Sequence, residues 1–211
     1  MTASPTAAAP PVMEKRRLHL LESALVVFAR KGFHGTRIDD VCAAAGISRA
    51  TFYRYFDRKE ALFDALVDLM GVEVIEIGQH LDAVTPDSAG LATMRNWVDL
   101  LLANTERWGP VVGEIIRPRD EHAAARNQAI FATTKFAETL GNRFREGGVN
   151  DVAPQMAALA IIAMVERVAS QVRTWNVEVD KDTLTQSLAV LALKMLHPTA
   201  AIGAAIGFDG G

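Results

Sequence analysis

Apolar residues recur at steps of three and four along most of the chain, the spacing of one buried helix face. Leu18, Leu21, Leu25 and Phe28 form the first stripe. Gly32 then supplies a stop, with Arg30 and Lys31 in the last turn, where cations suit the helix dipole. Leu62, Leu66, Leu69 or Met70, and Val74 repeat the pattern in a long helix predicted from Lys59 towards Leu81. Further helices are predicted over 88–106, 110–117, 120–146, 152–176 and 180–196. Their separators are Pro86, the Gly109-Pro110 pair, Pro118, Gly147-Gly148 and the segment Asn176–Val179. No stretch alternates convincingly as a strand would. The pattern predicts an all-α chain of about nine helices.

Between residues 36 and 56 the periodic segments become too short for ordinary bundle helices. Ile38 to Ala45 makes about two turns, with Ile38, Val41 and Cys42 on one face. Gly46 stands where a sharp turn needs a left-handed residue, and Ile47 plugs the angle behind it. Ser48 is placed to cap a second short helix, Arg49 to Tyr55, by accepting one of its orphan amides. Two short helices around a glycine turn make a helix-turn-helix.

Composition narrows the class. The chain has 211 residues, 50% hydrophobic and 22% charged, which excludes a disordered or collagen-like protein. Cys42 is the single cysteine, so neither an intrachain disulfide nor a cysteine-rich zinc module can form. No run of about eighteen apolar residues suggests a membrane span. The uncharged start is neither signal peptide nor anchor, and a soluble cytoplasmic protein is expected. Residues 1–13 and 198–211 read as flexible tails, with Ile202, Ile206 and Phe208 as possible docking side chains in the second. Residues 14–60 form the helix-turn-helix domain and 61–197 a helical body. Charge divides along that boundary: residues 1–60 carry a net +4 and residues 61–211 a net −7. A basic head on an acidic body hints that the head meets a polyanion.

The second short helix has the faces for that task. Phe52 and Phe56, four apart, point inward, leaving Arg49, Ala50, Thr51, Tyr53, Arg54 and Tyr55 for other faces. Small residues near its start suit entry into the DNA major groove, where Arg49 forks onto guanine O6 and N7. Tyrosine hydroxyls donate to phosphate oxygens, and both tyrosines of the chain lie here.

The run from Ala24, ALVVFARKGFHGTRIDDVCAAAGISRATFYRYFDRKEALFDAL, resembles the DNA-binding domain of the tetracycline-repressor (TetR) family. The resemblance implies that Arg49, Ala50 and Thr51, behind the Ser48 cap, meet base edges. It places Tyr53, Tyr55 and Lys59 on phosphates, and Thr36 and Arg37 at the start of a helix beside the DNA backbone. Two positions depart from the family pattern. Arg37 stands where a Ser or Thr cap is common, leaving Thr36 to cap instead; Arg58 stands at another cap, for which Asp57 and Glu60 offer a substitute pair.

The resemblance further implies a homodimer through the last two helices. Helical stripes agree: Met156, Leu159, Ile162 or Ala163, Val165 or Glu166, and Ala169, then Leu184, Leu188, Leu191 and Met195. It also implies an effector pocket in the body, with Trp97, Leu101, Trp108, Ile115, His122, Phe131, Phe136, Met164 and Trp175 as candidate lining. His122 and Arg126 are a candidate pair for an acidic or polar group on the effector. The expected partners are a double-stranded, pseudo-palindromic operator, a hydrophobic small molecule and a second copy of the chain, with no membrane and no cofactor. The expected behaviour is repression relieved by ligand. No hydrolase, metalloprotease, phosphate-loop or dinucleotide motif is present, so an enzyme is not expected. The five histidines show no short ligand spacing, and no metal is expected. The rival reading is a helical carrier or adaptor whose head no longer binds DNA.

Overall fold

A computed structural model describes residues 11–117, 122–149 and 152–198. Most of both predicted tails, residues 1–10 and 199–211, and the Pro118 separator lie outside the described residues. The described residues form eight helices and no strand: α1 (Pro11–Gly35), α2 (Ile38–Ala45), α3 (Arg49–Tyr53), α4 (Lys59–Gln79), α5 (Ser88–Ile115), α6 (Ala123–Glu146), α7 (Pro154–Thr174) and α8 (Lys181–Leu196). The count falls one short of nine because α5 continues through Gly109 and Pro110. Proline already holds a helical φ, so its cost there is one lost amide bond and crowding of the preceding turn. At the predicted stop in α1, Gly32 leaves helical geometry (φ 68°, ψ 167°), but helical residues resume after it to Gly35.

The helices fall into two compact units. The described residues through Asp68, with those from Pro110 to Arg126, make the first. Those from Leu69 to Gly109 and from Asn127 onward make the second. Beside α1, α2 and α3, the first unit takes in the starts of α4 and α6 and the end of α5.

In the first unit α1 buries Leu20, Leu21, Ala24, Leu25 and Phe28, while Leu18, placed on that stripe by spacing, is exposed. α2 packs on α1 and α3 and buries Val41, Cys42 and Ala45. Burial pushes the Cys42 thiol above its ordinary pKa, with the Asp39 carboxylate adding to the effect. Phe33 and Phe63 meet edge to face at 5.0 Å, and Phe28 stands 5.6 and 6.1 Å from them.

The second unit is a helical bundle. Met94, Trp97, Leu101, Phe136, Leu140, Ile161, Val165, Leu188 and Leu193 share one core. Both buried indoles of the unit find partners: Trp97 Nε1 donates to the Ile77 carbonyl at 3.1 Å and Trp108 Nε1 to Glu73 at 2.8 Å. His197 Nε2 donates to the Val84 carbonyl at 2.9 Å. At the start of α5, Asp87 accepts from the Gly90 amide at 2.9 Å and from the Thr85 hydroxyl at 2.7 Å. That turn leaves no space above Gly90, where a Cβ would lie 1.8 Å from the Thr85 carbonyl oxygen. Gly90→Ala is expected to destabilise the protein by about 1–3 kcal/mol despite alanine's better helix propensity. A urea titration checks this, and an unchanged midpoint would refute it.

Candidate nucleic-acid interface

Local sequence builds the helix-turn-helix as its residues require. Arg37, in extended conformation, holds the N-cap of α2, and its amide donates to Asp40 Oδ2 at 2.9 Å. The Lys31 ammonium, 2.6 Å from the other Asp40 oxygen, then the Arg37 amide, hold the Asp40 carboxyl below the ordinary carboxylate range. Gly46 is left-handed (φ 64°, ψ 34°), and the Ile47 amide returns to the Cys42 carbonyl at 3.0 Å, closing the helix. Ser48 Oγ accepts from the Thr51 amide at 3.2 Å, the cap expected of it.

α3 buries Phe52 and presents Arg49, Ala50 and Tyr53 to solvent, with Arg54 exposed just after it. Thr51 and Tyr55 are half-buried. Arg49 Nη1 pairs with Asp39 Oδ2 at 3.1 Å, and Nη2 reaches the Tyr53 hydroxyl at 3.5 Å. The Tyr53 hydroxyl, then Asp39, raise the pKa of a guanidinium that is already always charged. Both partners are exposed, so the Arg49–Asp39 pair is weak and easily exchanged for another acceptor.

Two expectations for this surface change. Thr36 is buried, and its hydroxyl donates to the Gly32 carbonyl at 2.7 Å, so it neither caps α2 nor faces a DNA backbone. Its hydroxyl satisfies a carbonyl orphaned where α1 kinks. Lys59 donates to the Phe33 and Thr36 carbonyls at 2.7 and 2.9 Å, with its ammonium 4.2 Å from the Phe33 ring centroid. That ammonium clamps the end of α1 and has one further N–H for a phosphate.

The candidate pocket residues scatter. Trp97, Leu101, Trp108 and Phe136 are buried in the second unit, with Met164 half-buried against the same core. Ile115 and His122 are buried in the first unit. Phe131 and Trp175, expected among the lining, stand instead on the outer faces of their segments at 60% and 68% exposure. An open cleft of about 630 Å³ lies instead between α5 and α8, lined by Arg95, Asp99, Leu100, Lys181, Asp182 and Thr185 among others. None of the candidate residues lines it. Its charges are already paired, Arg95 with Asp182, and Lys181 with Asp99 at 2.7 Å. His122, read beside Arg126 as a ligand for an acidic or polar group, packs between Phe33 and Phe63 and approaches Glu114. Arg126 donates to the Ile115 and Arg117 carbonyls at 3.3 and 3.0 Å. Among the described residues, His34, Glu114 and His122 form a grouping with metal-ligating donor atoms.

The first unit thus carries a helix-turn-helix, and the second is a helical bundle. Residues 20–66 match the family described as bacterial regulatory proteins, tetR family. That match takes in the helix-turn-helix region of the chain. The chain is 34% identical over 84 residues to the HTH-type transcriptional regulator RutR of Escherichia coli, a match covering 39% of this chain and 38% of RutR. It thus spans well under half the length of that relative. With the HTH-type transcriptional repressor DhaR of a Mycobacterium species it shares 23% identity over 192 residues, covering 87% of this chain and 93% of DhaR. The solved structure of the regulator FadR from Bacillus subtilis, in complex with stearoyl-CoA, shares the fold. Its TM-score is 0.65 at 20% identity, over 85% of this chain and 99% of that one.

Proposed function

We propose that this protein is a sequence-specific DNA-binding repressor, released from a pseudo-palindromic operator by a hydrophobic small molecule. One observation carries the DNA reading: α3 turns Arg49, Ala50 and Tyr53 outward together, behind a capped turn that holds Phe52 in the core. A carrier or adaptor has no physical need for a guanidinium and a phenol on one exposed short helix. A single head spans few base pairs, so useful affinity needs two heads about 34–36 Å apart.

The second copy has a surface to use. α7, with a mean hydropathy of 1.2, is long and apolar enough to cross a membrane by length and composition, although Glu166 and Arg167 interrupt its apolar run. Its inner face packs with α8, yet Met156, Leu159, Ala160 and Ala163 on its outer face are exposed, as is Leu191 on α8. A helix apolar on both sides suits burial on both sides, which a two-fold pairing of α7 and α8 provides. Leu159→Glu with Leu191→Glu is expected to leave the fold intact and yield a monomer by analytical ultracentrifugation. A dimer of unchanged mass would place the interface elsewhere.

Release follows as linkage. An effector that favours a splayed arrangement of the two heads withdraws the population competent for the operator, and the coupling runs through α4, which links head to body. The apolar side chains of the second unit, and the acyl ligand of the Bacillus subtilis relative, support an acyl-chain or similarly hydrophobic effector. The decisive experiment is selection of random-sequence DNA by the full chain. A pseudo-palindrome whose binding weakens steeply with salt is the expected product. No enrichment at low salt would return the carrier reading.

A further inference from the structure

We propose that His34, Glu114 and His122 form a binding site for a zinc-class divalent ion within the head. The three come from the last turn of α1, the end of α5 and the residue before α6, so sequence separations of 80 and 8 close onto one point. His34 Nε2 lies 3.0 Å and His122 Nε2 3.6 Å from the same carboxylate oxygen, Glu114 Oε1, and all three donor atoms fall within 4.8 Å of one another. Bonds of about 2.0–2.1 Å in a tetrahedral zinc site place donor atoms about 3.3 Å apart. Two of the three edges already stand near that value, and the third closes by a modest swing of the more exposed imidazole.

A hydrogen bond between His34 and Glu114 accounts for one imidazole. A second imidazole, fully buried, brings its Nε2 to the same oxygen. The surroundings match a prebuilt site. The His122 ring is held between Phe33 and Phe63 at centroid distances of 4.7 and 4.8 Å, and Arg117 Nη1 stands 3.5 Å from the second Glu114 oxygen. These are the outer contacts that fix ligand orientation. Glu114 and His122 are buried, whereas the His34 side chain is 41% exposed and gives the ion a way in.

The donor set selects the metal class. Two imidazole nitrogens and one carboxylate suit Zn²⁺ or a similar first-row ion. Ca²⁺ and Mg²⁺ prefer all-oxygen cages, and Cu⁺ prefers sulfur. Three protein ligands leave one position for water or an exogenous donor. An ion here cross-links segments 80 residues apart, two residues before Thr36, so its binding free energy adds directly to the stability of the head.

The test uses the full-length chain freed of metal by chelator, with Zn²⁺ as titrant and Co²⁺ as spectroscopic probe. Calorimetry is expected to give one Zn²⁺ per chain. Zn²⁺ at a hundredfold excess over its Kd should raise the melting temperature by roughly 5 °C. Co²⁺ should develop the visible bands of a four- or five-coordinate nitrogen–oxygen site. His34→Ala, at an exposed position that leaves the core intact, should weaken binding at least tenfold and abolish the thermal shift. His80→Ala, an exposed histidine in the second unit, should change neither. Glu114→Gln should behave as His34→Ala, with circular dichroism checking that it folds. The proposal is overturned if the wild-type chain binds no ion, or binds one with an affinity that His34→Ala leaves unchanged.

Discussion

Replacing Arg49 with alanine is expected to weaken operator binding by about fivefold to a hundredfold at each half-site, because a guanidinium fork on guanine discriminates by that much. In the proposed dimer two heads meet one palindrome, so the losses compound. Fluorescence anisotropy at fixed salt checks this. The selected sequence should also lose its preference at one base pair per half-site, while Tyr53→Phe, at the proposed phosphate contact, should weaken all sequences alike. In the unbound head Arg49 is held by Asp39 and Tyr53, so part of the contact energy replaces an existing ion pair. Asp39→Ala should therefore strengthen DNA binding, both by freeing the guanidinium and by removing a negative charge beside the polyanion. Equal base preferences in wild type and Arg49→Ala would remove this residue from the reading surface.

Phe63→Ala is the second large effect expected, a loss of about 3–5 kcal/mol. Phe63 is 1% exposed, and its ring meets Phe33 at 5.0 Å, His122 at 4.8 Å and Phe28 at 6.1 Å. Truncation leaves a cavity among three rings, two fixed on α1 and one just before α6, that cannot all collapse into it. Against a total stability of about 5–15 kcal/mol, such a loss brings the head close to unfolding. Urea titration followed by circular dichroism reads the change, and Phe63→Leu should recover much of it. A loss below about 1 kcal/mol would mean that the rings are not packed as described.

The sequence made the head legible for a specific reason: its signals are local. The Gly46 turn, the Ser48 cap and the inward pair Phe52 and Phe56 each act within a few residues, and the structure carries out all three. Helix stripes were readable in the same way. Signals that depend on a competing partner were not. Thr36 looked like a cap until the Gly32 carbonyl, exposed by a kink, took its hydroxyl. Gly109-Pro110 looked like a break, but proline's φ suits a helix, and the segment beyond it continues α5. Aromatic residues alone could not separate interior from exterior, which is why Trp108 and Trp175 received the same expectation and lie at 1% and 68% exposure. The grouping of His34 with Glu114 and His122 has no signature along the chain, since the nearest pair is eight residues apart and the third lies 80 away.

Cys42 is a small packed side chain on α2, its thiol made less acidic by burial. Being the chain's single cysteine, it is also a built-in clock. A thiol that is both covered and protonated reacts with an alkylating reagent chiefly in those moments when α2 lifts away from α1 and α3. The labelling rate of the unmodified protein therefore counts openings of the helix-turn-helix without any engineered probe. Operator DNA, a small molecule or a metal ion added to the same tube would each register as a slower or faster tick.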